Sequence, residues 1–284
     1  MPYLTVISKS ATVISVRIDD LAFPPENYDG FRFWCSSDST WYDWYSNSYV
    51  FGWLTPNTTY TFQAQAKYEG VWYNVDGTFA TTDPLPIPDI PSAPILINRG
   101  ETSLTVSWGT SYYANYYILK YYDASLDIQY IYPIYDTYYT INGLTPGTTY
   151  YLSVAAVNDS GNSGYSSENA ATTLPQIPTI SQGTVTINSI TINIGSISGG
   201  YDYIRVNYYD NNNNFLGYLD GFSGSYVTFT GLSADTTYKF DAYTVLSPLL
   251  SGYSNTLIIK TLGARPHLTV ISKSATVISV RIDD

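Results

Sequence analysis

Residues 143–158 read GLTPGTTYYLSVAAVN, and this stretch has two counterparts, LTPNTTYTFQAQA at 54–66 and GLSADTTYKFDAYTV at 231–245. Their tyrosines, Tyr60, Tyr150 and Tyr238, stand 90 and 88 residues apart. A second anchor precedes each: ISVRI ends at Ile18, LTVSW at Trp108 and ITINI at Ile194, leaving gaps of 42, 42 and 44 residues to the tyrosines. Two anchors in constant register across three segments make a tandem repeat of about 90 residues. Apolar residues alternate in every anchor. Alternation of period two reads as a half-buried strand, and such strands bury their apolar faces by pairing two sheets face to face.

A longer echo lies at the two ends. Residues 266–284 read PHLTVISKSATVISVRIDD and residues 2–20 read PYLTVISKSATVISVRIDD, identical at 18 of 19 positions, with only Tyr3 and His267 differing. Either one segment is used twice, or the chain is cut from an array that repeats every 264 residues.

The chain resembles the fibronectin type III family. The resemblance is carried by the Leu-x-Pro-x-Thr-x-Tyr run of Leu54 to Tyr60 and Leu144 to Tyr150, and by the alternating strand Leu104, Val106, Trp108. The third copy departs by placing Ala234 where the others have proline, and the first and third place Ile18 and Ile194 at the tryptophan position. What the resemblance implies is an all-β chain of three tandem immunoglobulin-like sandwiches, over residues 1–83, 92–174 and 175–263, with 264–284 repeating the first two strands of the first. In this layout Ile14, Val16 and Ile18, their counterparts at 104–108 and 190–194, and Phe62, Leu152 and Phe240 point inward. Each corner tyrosine buries its ring and bonds through its hydroxyl to upstream backbone. Proline-bearing linkers, five prolines in 83–94 and shorter joints at 174–178 and 262–266, suggest a semi-rigid rod.

Composition narrows the function. Charged residues are 12% of the chain, while tyrosines number 31, a profile for strands and turns. The net charge of −11, with no basic stripe, argues against nucleic acid. No apolar run reaches the roughly 18 residues of a membrane span, and no charged-then-apolar leader follows Met1. Cys35 is the single cysteine and His267 the single histidine. No nucleophile–base set and no metal-ligand spacing can be assembled from these residues, so neither an enzyme nor a cofactor is expected. The run Asp210 to Asn214 offers oxygen ligands but lacks the glycine and distal glutamate of a calcium loop, and reads as a turn. A neutral surface rich in hydroxyls and tyrosine suits an extracellular or cell-surface protein.

Three sets of residues are candidates for contact. Five of the six tryptophans lie in the first segment. By the family layout Trp34, Trp41, Trp44 and Trp72 fall on one sheet that cannot bury them all, so the exposed rings could stack on surface glycans or dock a subunit. Tyrosine doublets at 112–113, 116–117, 121–122, 138–139, 150–151 and 208–209 should each send one ring in and one out. Asn57 and Asn158 open N-glycosylation sequons in expected loops.

A further candidate is the tail. As a lone hairpin it would expose Val270, Ile278, Val280 and Ile282 and an unpaired edge, and would seek a sheet lacking its first two strands. Copies of the chain itself are then the expected partners, joined head to tail by strand donation. The alternatives are the start of a further domain in a longer array, and a glycan-binding module built on the tryptophan-rich sheet.

Overall fold

A computed structural model describes residues 1–220, 225–264, 267–274 and 276–283, with the backbone alone at 267, 268, 282 and 283. Contact density divides the chain into two compact units. One holds residues 1–90, 111–116 and 155–164; the other holds 91–110, 117–154 and 165–284.

The first sandwich is built from β1 (Tyr3–Lys9), β2 (Ile14–Asp19), β3 (Gly30–Cys35), β4 (Trp41–Trp44), β5 (Ser48–Phe51), β6 (Thr59–Tyr68) and β7 (Val71–Thr81). Its order is β4-β3-β6-β7-β1-β2-β5, so the two sheets join along one edge. The join is a parallel bridge, Tyr3 beside Asp76, reinforced by Asp76 N–H donating to Pro2 O at 3.1 Å. Ile14, Val16, Ile18, Phe31, Phe33 and Phe62 are fully buried between the faces.

The second sandwich keeps its sheets apart. It comprises β8 (Ile95–Arg99), β9 (Ser103–Ser107), β10 (Tyr116–Tyr122), β11 (Gln129–Ile134), β12 (Tyr138–Asn142), β13 (Thr149–Asn158), β14 (Gly161–Asn162) and β15 (Asn169–Thr172). The sheets run β12-β9-β8 and β11-β10-β13-β14, with β15 also on β13. The third sandwich repeats this with β16 (Ile180–Val185), β17 (Ser189–Ile194), β18 (Tyr203–Asp210), β19 (Phe215–Leu219), β20 (Tyr226–Thr230), β21 (Thr237–Leu246), β22 (Leu249–Leu250) and β23 (Leu257–Lys260). Its sheets run β16-β17-β20 and β19-β18-β21-β22, with β23 on β21. Leu104, Val106 and Leu152 are buried in the second core, and Ile190, Ile192 and Phe240 in the third. β24 (His267–Lys273) and β25 (Ile278–Asp283) close the chain as a two-stranded sheet.

The corners carry the expected bond three times. The hydroxyls of Tyr60, Tyr150 and Tyr238 accept from the backbone N–H of Thr55, Thr145 and Ser233 at 2.9, 2.9 and 3.0 Å. A buried threonine at each domain end locks the same loop. Thr82, Thr173 and Thr261 accept from the N–H of Thr58, Thr148 and Thr236, and donate to the carbonyls of Thr55, Thr145 and Ser233. Tyr150→Phe removes one acceptor and leaves the Thr145 N–H unpaired inside the corner, a cost of about 1–2 kcal/mol. Hydrogen exchange at Thr145 should accelerate by roughly tenfold; an unchanged rate would show that the corner bond adds nothing.

Among the tyrosine doublets in strands the alternation is clearest at 150–151, where Tyr150 is buried and Tyr151 exposed, and at 116–117, where Tyr117 alone is buried, whereas both rings of 121–122 and of 208–209 are half-buried. Tyr112 and Tyr113 do not, because they form a turn before β10 and both rings face solvent, edge to face at 5.7 Å. Asp210 does make the expected turn, its carboxylate accepting from the N–H of Asn212 and Asn214 at 2.8 Å each.

Candidate functional site

The first two strands and the last two are the same hairpin by geometry as well as by sequence. In β1 and β2, Tyr3 pairs Asp19, Leu4 Ile18, Thr5 Arg17, Val6 Val16, Ser8 Ser15 and Lys9 Ile14, with a bulge between Val6 and Ser8. In β24 and β25, His267 pairs Asp283, Leu268 Ile282, Thr269 Arg281, Val270 Val280, Ser272 Ser279 and Lys273 Ile278, with the bulge between Val270 and Ser272. Every pair is the earlier one displaced by 264. An antiparallel register fixes which residues share a face, so the tail is shaped as the first hairpin is shaped in place.

Their surroundings differ. β2 pairs β5 from Ile14–Phe51 to Arg17–Ser48. Leu54 N–H donates to Thr12 O, Asp83 N–H to Ser10 O and Ile18 N–H to Asn47 O, while Lys9 pairs with Asp83 at 2.9 Å. Among the described residues the tail strands pair only with each other. Ile14 and Val16 are 0% exposed, whereas their counterparts Ile278 and Val280 are 69% and 50% exposed. Val270 is exposed too, while the side chain of Ile282 lies outside the described residues. Burying one such side chain is worth about 1.5–3 kcal/mol. Ile271 and Val277 are also exposed, but on the face that stays partly open at home, where Ile7 is exposed as well.

One ion pair belongs to the hairpin itself. Arg17 Nε donates to Asp19 Oδ1 at 2.7 Å, and this bond, then one from Thr5, holds the Asp19 carboxyl below its usual value. All three residues lie within the hairpin, so the pair does not discriminate one sheet from another.

The tryptophans do not form one surface. Cross-strand register places Trp41 opposite Trp34, Asp43 opposite Arg32, Tyr42 opposite Phe33 and Trp44 opposite Phe31. Trp44 therefore shares the side of the buried Phe31 and packs edge-on to Tyr49 at 5.4 Å, which separates it from Trp34 and Trp41. On the outer face the Arg32 guanidinium lies between Trp41 and Trp72, 4.9 and 4.5 Å from their ring centroids, with Lys67 over Trp72 at 5.7 Å. Arg32 Nε also bonds Gln65, which bonds Asn74. On the ring faces that Arg32 covers, a sugar could stack only by displacing it. Each contact is worth about 0.5–1 kcal/mol at an exposed site, so Arg32→Ala should lower the stability of the first sandwich by about 1–2 kcal/mol. Tryptophan-monitored denaturation measures this, and an unshifted midpoint would mean that the rings need no cation.

The same device recurs in the other sandwiches. Lys120 on β10 lies 5.0 Å from the Tyr165 ring, and Arg205 on β18 lies 3.9 Å from the Tyr218 ring and pairs with Asp220. It is accompanied by a repeat legible in the sequence, Ser-Gly-Tyr-Ser at 163–166 and 251–254. The four serine hydroxyls accept from strand N–H groups of Ala156, Val154, Thr244 and Ala242 at 2.8–3.1 Å. This substitutes for strand pairing where β14 and β22 are only two residues long.

Asn57 is exposed in the first corner. Asn158 is not in a loop: it ends β13, is buried, and its amide nitrogen donates to Pro86 O at 2.8 Å. A glycan on that nitrogen would break the bond and force the side chain out. Among the described residues no cluster of three or more metal-ligating side chains occurs, and no helix is long and apolar enough to cross a membrane.

Residues 89–173 match the family model of the fibronectin type III domain. No curated protein matches the chain. Solved structures similar to it include a segment of two fibronectin type III domains from chicken tenascin, at 23% identity and a TM-score of 0.48, covering 60% of this chain and 99% of that one. Another is the FN1-FN3 segment of chicken CNTN1, at 15% identity and a TM-score of 0.35, covering 92% of this chain and 99% of that one.

Proposed function

We propose, from the premise that residues 89–173 are a fibronectin type III domain flanked by two sandwiches of the same fold, that the chain is an extracellular structural or adhesive subunit that joins copies of itself head to tail. The observation that carries this reading is the tail hairpin, formed in the register of β1 and β2 with its apolar face in solvent. The acceptor is the rest of the first sandwich: β5 on one side, the edge of β7 on the other, and Phe31, Phe33 and Phe62 beneath. Adding strands to an open sheet edge is a general mode of protein joining. A donor on one end and an acceptor on the other make a heterologous contact, which grows into a fibre when it does not close. The extracellular setting rests on the charge-poor, hydroxyl-rich and tyrosine-rich composition.

Occupancy follows from mass action. The two hairpins differ at one residue, so their intrinsic fit to the acceptor is nearly equal. The hairpin at home is tethered, at an effective concentration in the millimolar range. Intact folded chains at micromolar concentration therefore keep it and remain monomers, and donation proceeds where the first hairpin is absent or withheld.

The test is complementation. A chain lacking both residues 2–20 and 266–284 retains the acceptor and all the tryptophans of the first sandwich. Adding a peptide of residues 266–284 should restore native tryptophan emission and near-UV dichroism, saturating at one peptide per chain. A scrambled peptide should do nothing. If the authentic peptide leaves the emission that of an unfolded domain, the tail is not a donor.

A further inference from the structure

Twice along this chain the corner of one sandwich meets the loops of the next. Within the first unit, Thr55, Pro56 and Asn57 line a cleft with Pro84, Leu85, Asp159 and Ser160, the last two being the turn between β13 and β14. Within the second unit, Pro146 O accepts from Gly200 N–H at 3.3 Å, in the loop between β17 and β18. Gly147 and Gly199 have φ of +58° and +79°, and a Cβ on either would run into the opposing backbone. Gly147 also lines a cleft with Ser247 and Pro248, the turn between β21 and β22. In each case the corner shares a cleft with the turn after the next sandwich's sixth strand, and in the second it also bonds the loop after the second strand.

The corresponding pole of the first sandwich is an open cup. It holds about 360 Å³ and is lined by Pro2, Leu21, Phe23, Tyr28, Tyr68 and Tyr73 among others. Phe23 stacks on Tyr68 at 4.9 Å with an interplanar angle of 10°, and Tyr28 meets Tyr68 edge-on at 5.6 Å. Phe23 is 45% exposed despite this packing.

The duplicated sequence says what would cover it. Pro266 repeats Pro2, a residue of the cup. Leu262, four residues earlier, is exposed, and its carbonyl accepts from Asp235 N–H of the third corner at 3.2 Å. The same bond, Asn57 to Asp83 and Gly147 to Leu174, ends the first two sandwiches at their corners. Four extended residues reach about 13 Å. A tail donated into a first sandwich therefore delivers the third corner of the donor to the cup.

We propose that the cup at Phe23, Tyr28 and Tyr68 is the seat for the third corner of a second copy, around Ala234 and Leu262, so that the joint between copies repeats the joints within one. This rests on the strand-donation reading and adds a second contact to it. The test uses the full chain carrying Val16→Asp, which disables the home hairpin, and a short bis-maleimide. Cys35, which is buried in the folded sandwich, is replaced by alanine so that it cannot compete if that sandwich opens. The pair Ser48→Cys with Arg281→Cys reports donation, because the exposed Arg17, the counterpart of Arg281, stands opposite Ser48 at home. The pair Ala22→Cys with Ala234→Cys reports seating. Both pairs should give ladders of linked chains, and adding Phe23→Asp should cut the 22–234 link about tenfold while sparing the 48–281 link. A strong 48–281 link with a weak 22–234 link, or one indifferent to Phe23→Asp, overturns the seat and leaves donation standing. If neither pair links between chains, both ideas fall.

Discussion

A chain without residues 2–20 is expected to assemble into head-to-tail polymers, or rings if the ends can meet, with every first sandwich completed by a neighbour's tail. Deletion exposes the bed on which Ile14, Val16 and Ile18 are buried and leaves β24 and β25 as the one matching donor. The apolar face of a hairpin is worth several kcal/mol at ~25 cal/mol per Å². Its backbone edge adds the β2–β5 ladder and the bonds to Thr12, Ser10 and Asn47 seen at home. Mass should rise with concentration in sedimentation, and the first sandwich should stay folded. Val280→Asp in this background should abolish both effects, because it carries an unpaired carboxylate to a site where Val16 is 0% exposed. Removing 266–284 from the intact chain should leave a stable monomer. A chain lacking 2–20 that stays monomeric with its first sandwich unfolded would refute donation. The tail would then be the start of a domain completed elsewhere.

The second large effect comes from placing one substitution in either copy. Val280→Asp in the intact chain should change stability by no more than about 0.5 kcal/mol, since Val280 is half exposed. Val16→Asp puts the same charge into a closed core and should cost about 4–5 kcal/mol or more if the home hairpin must stay. With the tail available, the chain escapes that cost by expelling its own hairpin and accepting a neighbour's. Val16→Asp should therefore give folded polymers, and the double variant a monomer with an unfolded first sandwich. Tryptophan emission distinguishes these outcomes, because five of the six tryptophans lie in that sandwich. If Val16→Asp simply unfolds it at all concentrations, the tail cannot substitute for the first hairpin.

Sequence alone was sufficient for whatever is local or repeated. Alternation named the buried positions of β2, β9 and β17, since side chains in a strand change face every residue. The corner motif placed the three tyrosine bonds, which span five residues. Near-identity fixed the tail's register, because two equal hairpins pair equally. Only the tertiary structure decided which strands lie side by side, and apart from the local turn at Tyr112 and Tyr113 the main departures from expectation trace to long-range contacts. The β1–β7 bridge joins two sheets through residues 73 apart in sequence. Trp44 faces away from Trp41 because the pairing of β4 with β3 puts it opposite Phe31. Arg32 fills the space between Trp41 and Trp72, and Asn158 is buried by a bond to Pro86. Period-two patterning tells a strand which face is apolar but not which neighbour supplies the other half of a contact. That choice is made by long-range packing, where the tail and the first hairpin, alike in sequence, part company.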